Sequence, residues 1–228
     1  MLVCTVCGNQ EFVHDRVLWE GLIAEWQLSP READYVDRQQ GTHCTVCSSN
    51  LRSIALADAI RASLGTELTL SEFVSASTAR SLALLELNEA GSLSPVLERM
   101  PGRTLACFPD VDMHALPYSS ASFDLVVHSD TLEHVAQPIR ALAECRRVLK
   151  TGGSLCFTVP TIVGRLTRSR AGLPNSYHGT PETDRDDFLV HTEFGADVWT
   201  YVIEAGFSAV SLHSTQYPCA LALAARRR

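Results

Sequence analysis

Apolar positions along the chain follow two different rhythms. Up to residue 66 they recur at helical spacing: Val17, Leu18, Leu22, Ile23 and Trp26 form one stripe, and Leu51, Ile54, Ala55, Ala59 and Ala62 another. Between the stripes, Ser29-Pro30-Arg31-Glu32 is a capping box with proline at the first helical position, so a helix starts there, and Gly41 is placed to end it. The later stripe reads as a helix from Asn50 to Leu64 with Gly65 as its stop. Beyond residue 80 the rhythm changes to short continuous apolar runs: Leu82 to Leu87, Thr104 to Phe108, Phe123 to His128 and Ser154 to Val159. Runs that are apolar at successive positions are strands covered on both faces, and their alternation with helix-like segments predicts a parallel sheet with crossover helices. Thr161 to His191 shows no sustained period, Phe194 to Ala205 reads as helix, and Ser208 to Ala225 as two strands around Tyr217-Pro218. The pattern predicts an α/β fold: a Rossmann-like, mostly parallel sheet with helices on both faces, preceded by a small helical subdomain. The expected organisation is residues 1–66 for the subdomain and 67–228 for the sheet domain, with a lid insertion near 161–191.

Composition narrows the function. A chain of 228 residues with 46% hydrophobic side chains builds one core of ordinary domain size plus an appendage. Its formal charge of -7, with Arg226, Arg227 and Arg228 as the one concentrated basic run, argues against a phosphate-backbone binder. The longest apolar stretches, Ala79 to Leu87 and Ala220 to Ala225, fall short of the roughly 20 residues that span a bilayer. Met1 to Gln10 lacks the basic segment and apolar core of a secretory signal. The expectation is a soluble cytoplasmic protein with neither nucleic acid nor membrane as partner.

Of eight cysteines, Cys107, Cys145, Cys156 and Cys219 stand alone in apolar segments and read as buried small hydrophobes. The other four form two matched C-x-x-C turns, Cys4-Thr5-Val6-Cys7-Gly8 and Cys44-Thr45-Val46-Cys47-Ser48. Such a turn lets two sulfurs face one point, the small residue after the second cysteine permits the tight knuckle, and two knuckles supply a closed tetrahedral site. Zinc suits it, and iron in a rubredoxin-like site would use the same ligands. A dithiol redox centre would use one such motif beside a strand-helix unit. With Cys4, Cys7, Cys44 and Cys47 filling a closed set, the ion is expected to be structural, clipping together helices too short to be stable alone.

The stretch Phe123-Asp124-Leu125-Val126-Val127-His128-Ser129-Asp130-Thr131-Leu132-Glu133-His134-Val135, followed by Glu144 and by Arg147-Val148-Leu149-Lys150-Thr151-Gly152-Gly153-Ser154-Leu155-Cys156-Phe157-Thr158-Val159-Pro160, resembles class I S-adenosylmethionine-dependent methyltransferases of the ubiquinone-biosynthesis type. The resemblance covers residues 82–160 and is joined to a two-knuckle N-terminus seen in some bacterial members. It implies that S-adenosyl-L-methionine binds at the carboxyl edge of the sheet, at Glu86, Asn88, Gly91, Asp112, Met113, Ser129 and Asp130. Asp112 would accept the adenine amino group, Met113 would lie against the ring, and Glu86 or Glu89 would hold the cofactor's ammonium group. The first loop, Glu86-Leu87-Asn88-Glu89-Ala90-Gly91-Ser92, departs from the family pattern, with Asn, Ala and Ser where glycines are expected. Between Thr104 and Leu116 there is no room for one of the family's crossover helices, and Asp110 is the nearest substitute for the ribose-binding acid.

Methyl transfer is an in-line displacement from an activated sulfonium, so the protein mainly aligns the reacting atoms, and a base is needed where the acceptor carries a proton. His134 is the first candidate, then His178 and Asp130, although His134 also begins a helical turn and could simply pack there; Tyr177 with His178 offers hydrogen-bonding or proton-transfer groups from the insert. His128 reads as a core histidine. The insert is expected to close over a small-molecule acceptor, with Arg165, Arg168 and Arg170 available to an anionic one. Two other readings remain open: internal displacement that releases methylthioadenosine, and a binding module without catalysis.

Overall fold

A computed structural model describes residues 2–177 and 188–228. The chain opens with strand β1 (Phe12–His14), helices α1 (Glu20–Glu25) and α2 (Pro30–Gly41), strand β2 (Thr42–Cys44) and helix α3 (Leu51–Leu64). There follow α4 (Leu70–Phe73), β3 (Leu84–Leu87), α5 (Ser94–Leu97), β4 (Arg103–Ala106), β5 (Phe123–Ser129), α6 (Pro138–Val148) and β6 (Leu149–Thr158). The last third holds β7 (Thr161–Ile162), β8 (Arg168–Ser169), β9 (Thr192–Gly195), α7 (Trp199–Glu204), β10 (Val210–Thr215) and β11 (Ala220–Arg226).

Local chemistry explains the N-terminal helices. The Ser29 hydroxyl accepts from the Glu32 amide while the Glu32 carboxylate accepts from the Ser29 amide, the reciprocal capping box read from the sequence. Asn50 caps α3 through its side chain, and Gly65 ends it in the left-handed conformation at φ +64°. Gly41 is fixed by crowding, since a Cβ there would stand 2.2 Å from the Asp15 carbonyl oxygen.

The main sheet runs β10-β11-β6-β5-β3-β4, with β4, β3, β5 and β6 parallel and β11 antiparallel between β6 and β10. Alternate residues of each strand enter two separate apolar layers. Leu84, Leu125, Val127, Cys156, Ala222 and Ala224 join one core, and Leu85, Leu87, Val126, Leu155, Phe157 and Leu223 the other. Helices α6 and α7 supply residues to the second layer, while α3 lies in the first, with nine of its fourteen residues buried. The fold is therefore the Rossmann-like α/β arrangement with both faces covered. No crossover helix or strand lies between β4 and β5, in keeping with the short sequence there.

Two features differ from the sequence reading. The core of the first layer runs from Cys4, Val6 and Trp26 through α3 to the sheet, so the packing continues across the expected boundary at residue 66. The described parts of the 161–195 region are not irregular throughout: β7, β9 and β8 form a small sheet, and Phe194 and Gly195, expected to begin a helix, end strand β9, leaving α7 to begin at Trp199. Periodicity could not show this, because strands of two to four residues are too short to display one.

Candidate active site and metal centre

Cys4, Cys7, Cys44 and Cys47 converge so that their four sulfurs all lie within 4.8 Å of one another. Cys4 and Cys47 are 3.5 Å apart at Sγ, and Cys7 and Cys44 3.6 Å. Sulfurs placed at ordinary zinc distance around a tetrahedral ion would be separated by about 3.8 Å, so the donor set fits such an ion with little adjustment. Each turn is closed by an amide donating back to the first cysteine carbonyl, from Gly8 to Cys4 at 2.7 Å and from Ser48 to Cys44 at 3.0 Å. Gly8 and Ser48 both adopt positive φ, +86° and +58°, the conformation that needs a small residue. The Asn9 amide donates to the Cys44 sulfur at 3.3 Å. Burial opposes ionisation of Cys44, but backbone and Asn9 hydrogen bonds outweigh it and hold this thiol at about 6.

At the carboxyl ends of β3, β4 and β5 lies a cavity of about 540 Å³, within the range of ordinary small-molecule sites. Of the expected cofactor residues, Asn88, Asp112, Met113 and Asp130 line it together, and His134 joins them. The first loop reaches the cavity by an unusual route. Asn88 and Glu89 adopt positive φ, +53° and +38°, without being glycine. Asn88 is held there by two contacts: its Oδ1 accepts from the Phe108 amide at 2.7 Å, and its own amide donates to the Ala106 carbonyl at 3.0 Å. Asparagine thus takes the backbone shape that glycine would otherwise supply.

Asp112 accepts at Oδ1 from both the backbone amide and the ring Nδ1 of His114, at 2.8 and 2.7 Å. The His114 amide is the chief reason its carboxyl sits below the usual range, partly opposed by burial. His114 Nε2 accepts from the Gln137 amide at 3.1 Å, so its proton must be on Nδ1, facing Asp112. A second constraint fixes His134. Its Nδ1 lies 3.0 Å from the Leu189 carbonyl, which can only accept, so Nδ1 carries a proton, while Nε2 lies 3.6 Å from Glu133 Oε1. His191 completes the wall, its ring pushed below its ordinary pKa by burial and by the nearby His134 and His114.

Three expected cofactor residues lie off the cavity wall. Glu86 is fully buried, with Oε1 accepting from the Ala90 amide at 2.7 Å and Oε2 paired with Arg103 at 2.6 Å. It closes the first loop and ties β3 to β4. Gly91 stands beside Ser53 of α3, and Ser129 bonds Thr158 at 2.7 Å across two strands. Tyr177 bridges to Leu189, its hydroxyl accepts from Asn175 at 3.1 Å, and it does not line the cavity. His178 lies outside the described residues. The three arginines of the insert are engaged internally: Arg165 grips Glu32 at 2.7 Å and the Trp26 and Gln27 carbonyls, and Arg168 and Arg170 both pair with Glu193.

A second chamber of about 330 Å³ adjoins the first. Asp130, His134 and Phe188 belong to the walls of both. Arg52, Trp19 and His191 were not singled out from the sequence. The run Leu51 to Ile60, polar only at Arg52, Ser53 and Asp58, was the available signal for Arg52, because a helix apolar on most sides is a buried one.

Residues 89–157 match the family model described as a methyltransferase domain. A curated relative, an uncharacterized 37.1 kDa protein in transposon TN4556 of Streptomyces fradiae, is 47% identical over 49 residues. That stretch is 22% of this chain and 14% of the relative, so the likeness is to a small part of that protein. Among solved structures, a methyltransferase of Thermotoga maritima, described as a possible histamine N-methyltransferase, is 16% identical with a TM-score of 0.42, covering 70% of this chain and 92% of that one. An S-adenosylmethionine-dependent methyltransferase of Mesorhizobium loti is 15% identical with a TM-score of 0.41, over 69% and 95%. The CurJ carbon methyltransferase is 12% identical with a TM-score of 0.42, over 91% and 69%. These likenesses to solved structures are too low to argue activity. The match over residues 89–157 and the Rossmann-like sheet together support a methyltransferase domain. No helix among the described residues is long and apolar enough to cross a membrane.

Proposed function

We propose that the protein is an S-adenosylmethionine-dependent methyltransferase acting on a small-molecule acceptor, with a structural zinc ion in its N-terminal unit. The observation that carries this reading is the pair of adjoining cavities sharing Asp130 and His134, on a sheet edge whose sequence matches a methyltransferase domain. When bound, S-adenosylmethionine supplies a sulfonium methyl group. Asp112 and Met113 would hold the adenine end, and Asn88, Glu89 and Asp130 the remainder. His134 Nε2 takes the acceptor proton where there is one. The new bond to the acceptor forms as the sulfur–methyl bond breaks, and the sulfur keeps the electron pair, leaving adenosylhomocysteine. Cys4, Cys7, Cys44 and Cys47 would hold zinc, whose part is to fix the helices that face the second chamber.

The alternative in which the sulfonium is displaced internally would need no acceptor chamber, so the second cavity favours transfer. Incubation with S-adenosylmethionine separates the readings. Adenosylhomocysteine formed only with an added acceptor supports transfer, methylthioadenosine formed alone supports internal displacement, and absence of binding would refute both.

A further inference from the structure

The first turn of α3 carries two polar residues where burial is nearly complete. Arg52 is 3% exposed and Ser53 4%, although arginine almost never lies inside without a partner. Each of the two meets a different loop of the sheet edge. Arg52 Nη1 donates to Asp130 Oδ1 at 2.9 Å, in the loop after β5. Ser53 Oγ accepts from Ser92 Oγ at 2.9 Å, in the first loop after β3. Neither is among the described residues lining the cavity of about 540 Å³, whereas Asp130 and, from the first loop, Asn88 and Glu89 do line it.

Both loops need holding. Asp130 adopts φ +50°, and Asn88 and Glu89 +53° and +38°, conformations that side chains other than glycine rarely take and that persist only where neighbours fix them. The backbone of Asp130 is fixed by its amide, which donates to the Thr158 carbonyl at 3.0 Å. At its carboxylate the Thr158 hydroxyl stands 3.5 Å from Oδ1, the outer limit for such a bond, so Arg52 makes the shorter contact.

The turn that carries Arg52 and Ser53 is itself anchored to the second cysteine knuckle. Ser49, fully buried just ahead of α3, accepts at its carbonyl from the Cys44 amide at 3.0 Å, and its Oγ lies 3.3 Å from Cys47 Sγ. Asn50 then caps the helix by accepting from the Ser53 amide at 2.9 Å. Resting on the methyltransferase reading, we propose that Arg52 and Ser53 are positioning residues for the S-adenosylmethionine site: without lining the cofactor cavity, they hold Asp130 and the first loop in the shape that binds it. A carboxylate already oriented by a buried guanidinium loses less freedom when the ligand arrives. The N-terminal unit therefore acts on cofactor affinity through α3, and its reach is not confined to the second chamber.

The test combines calorimetric titration of the full chain with adenosylhomocysteine and amide exchange of the free protein. Arg52→Gln should weaken adenosylhomocysteine at least about tenfold, Arg52→Lys, which keeps the charge, no more than about threefold, and Ser53→Ala about three- to fivefold. In an Asp130→Asn background, Arg52→Gln should change affinity by less than about twofold, because its effect passes through Asp130. Amide exchange should quicken at Asp130 in Arg52→Gln and at Asn88 and Ala90 in Ser53→Ala, with metal content as in the wild type. Ile60→Ala, about two turns further along α3, lowers stability by opening the core and should leave affinity within about twofold. The proposal is overturned if Arg52→Gln or Ser53→Ala binds as the wild type does, if the Arg52→Gln effect is undiminished in the Asp130→Asn background, or if Ile60→Ala weakens binding equally at a matched loss of stability. Failure of adenosylhomocysteine to bind the wild-type protein sinks the methyltransferase reading instead, and exchange in the free protein still decides whether Arg52 and Ser53 hold the two loops.

Discussion

The sheet and the N-terminal unit hold their shapes by different means. The sheet buries two continuous apolar layers, so its stability is spread over dozens of side chains. The N-terminal unit has helices of six and twelve residues and relies on a few discrete ties: four convergent cysteines, the clamp of Arg165 on Glu32, and α3 shared with the sheet. Distributed burial tolerates single losses. Point ties do not, and the walls of the second chamber hang on them.

That contrast can be broken most forcefully at the metal. Chelation of the proposed zinc ion, or changing Cys44→Ser, should abolish metal content by elemental analysis and lower the thermal midpoint by roughly 10 °C or more, because ligand binding is folding energy in such units. A protein that is metal-free as purified and equally stable would place both regions under the same rule. Next in size is the sheet's own point tie, Glu86 with Arg103, buried at one end. Glu86→Gln should cost about 3–5 kcal/mol in denaturant unfolding, since a charge inside the structure loses its partner.

His128 sharpens the comparison from within the sheet. It is completely buried, stacks on Phe157 at a centroid distance of 4.8 Å, and among the described residues neither ring nitrogen has a hydrogen-bond partner. Burial pushes its ring down to about 4, against a smaller upward pull from Glu133. The fold keeps the ring neutral while the unfolded chain takes up a proton below about 6.5. This stability is therefore complete above that pH and is lost as pH falls toward 4, by roughly 3 kcal/mol. His128→Leu should remove that slope from stability measured against pH and change little at pH 7. The smallest effect is expected for Arg165→Ala, about 1–2 kcal/mol, with faster amide exchange confined to residues around Trp26 to Glu32.

Much of this organisation was legible in the residues. The capping box at Ser29, the stop at Gly65, the paired knuckles and the apolar runs of β3, β5 and β6 each rest on local chemistry, and local chemistry is what sequence displays. The site was only half legible. Asn88, Asp112, Met113, Asp130 and His134 meet at one cavity, but Glu86 faces Arg103, a partner whose place depends on strand register. Arg52 and Trp19 come from a part of the chain that sequence pattern assigned to metal binding alone. The place of Arg52 beside Asp130 is a matter of how α3 packs on the sheet, which no local pattern specifies.

The central claim is that the sheet edge binds S-adenosylmethionine, and calorimetric titration with adenosylhomocysteine tests it most directly. The account predicts one site per chain, with affinity reduced about tenfold in Asp112→Ala because the adenine amino group loses its hydrogen-bond acceptor. Absence of binding to the wild-type protein, or the same affinity in the variant, would contradict it.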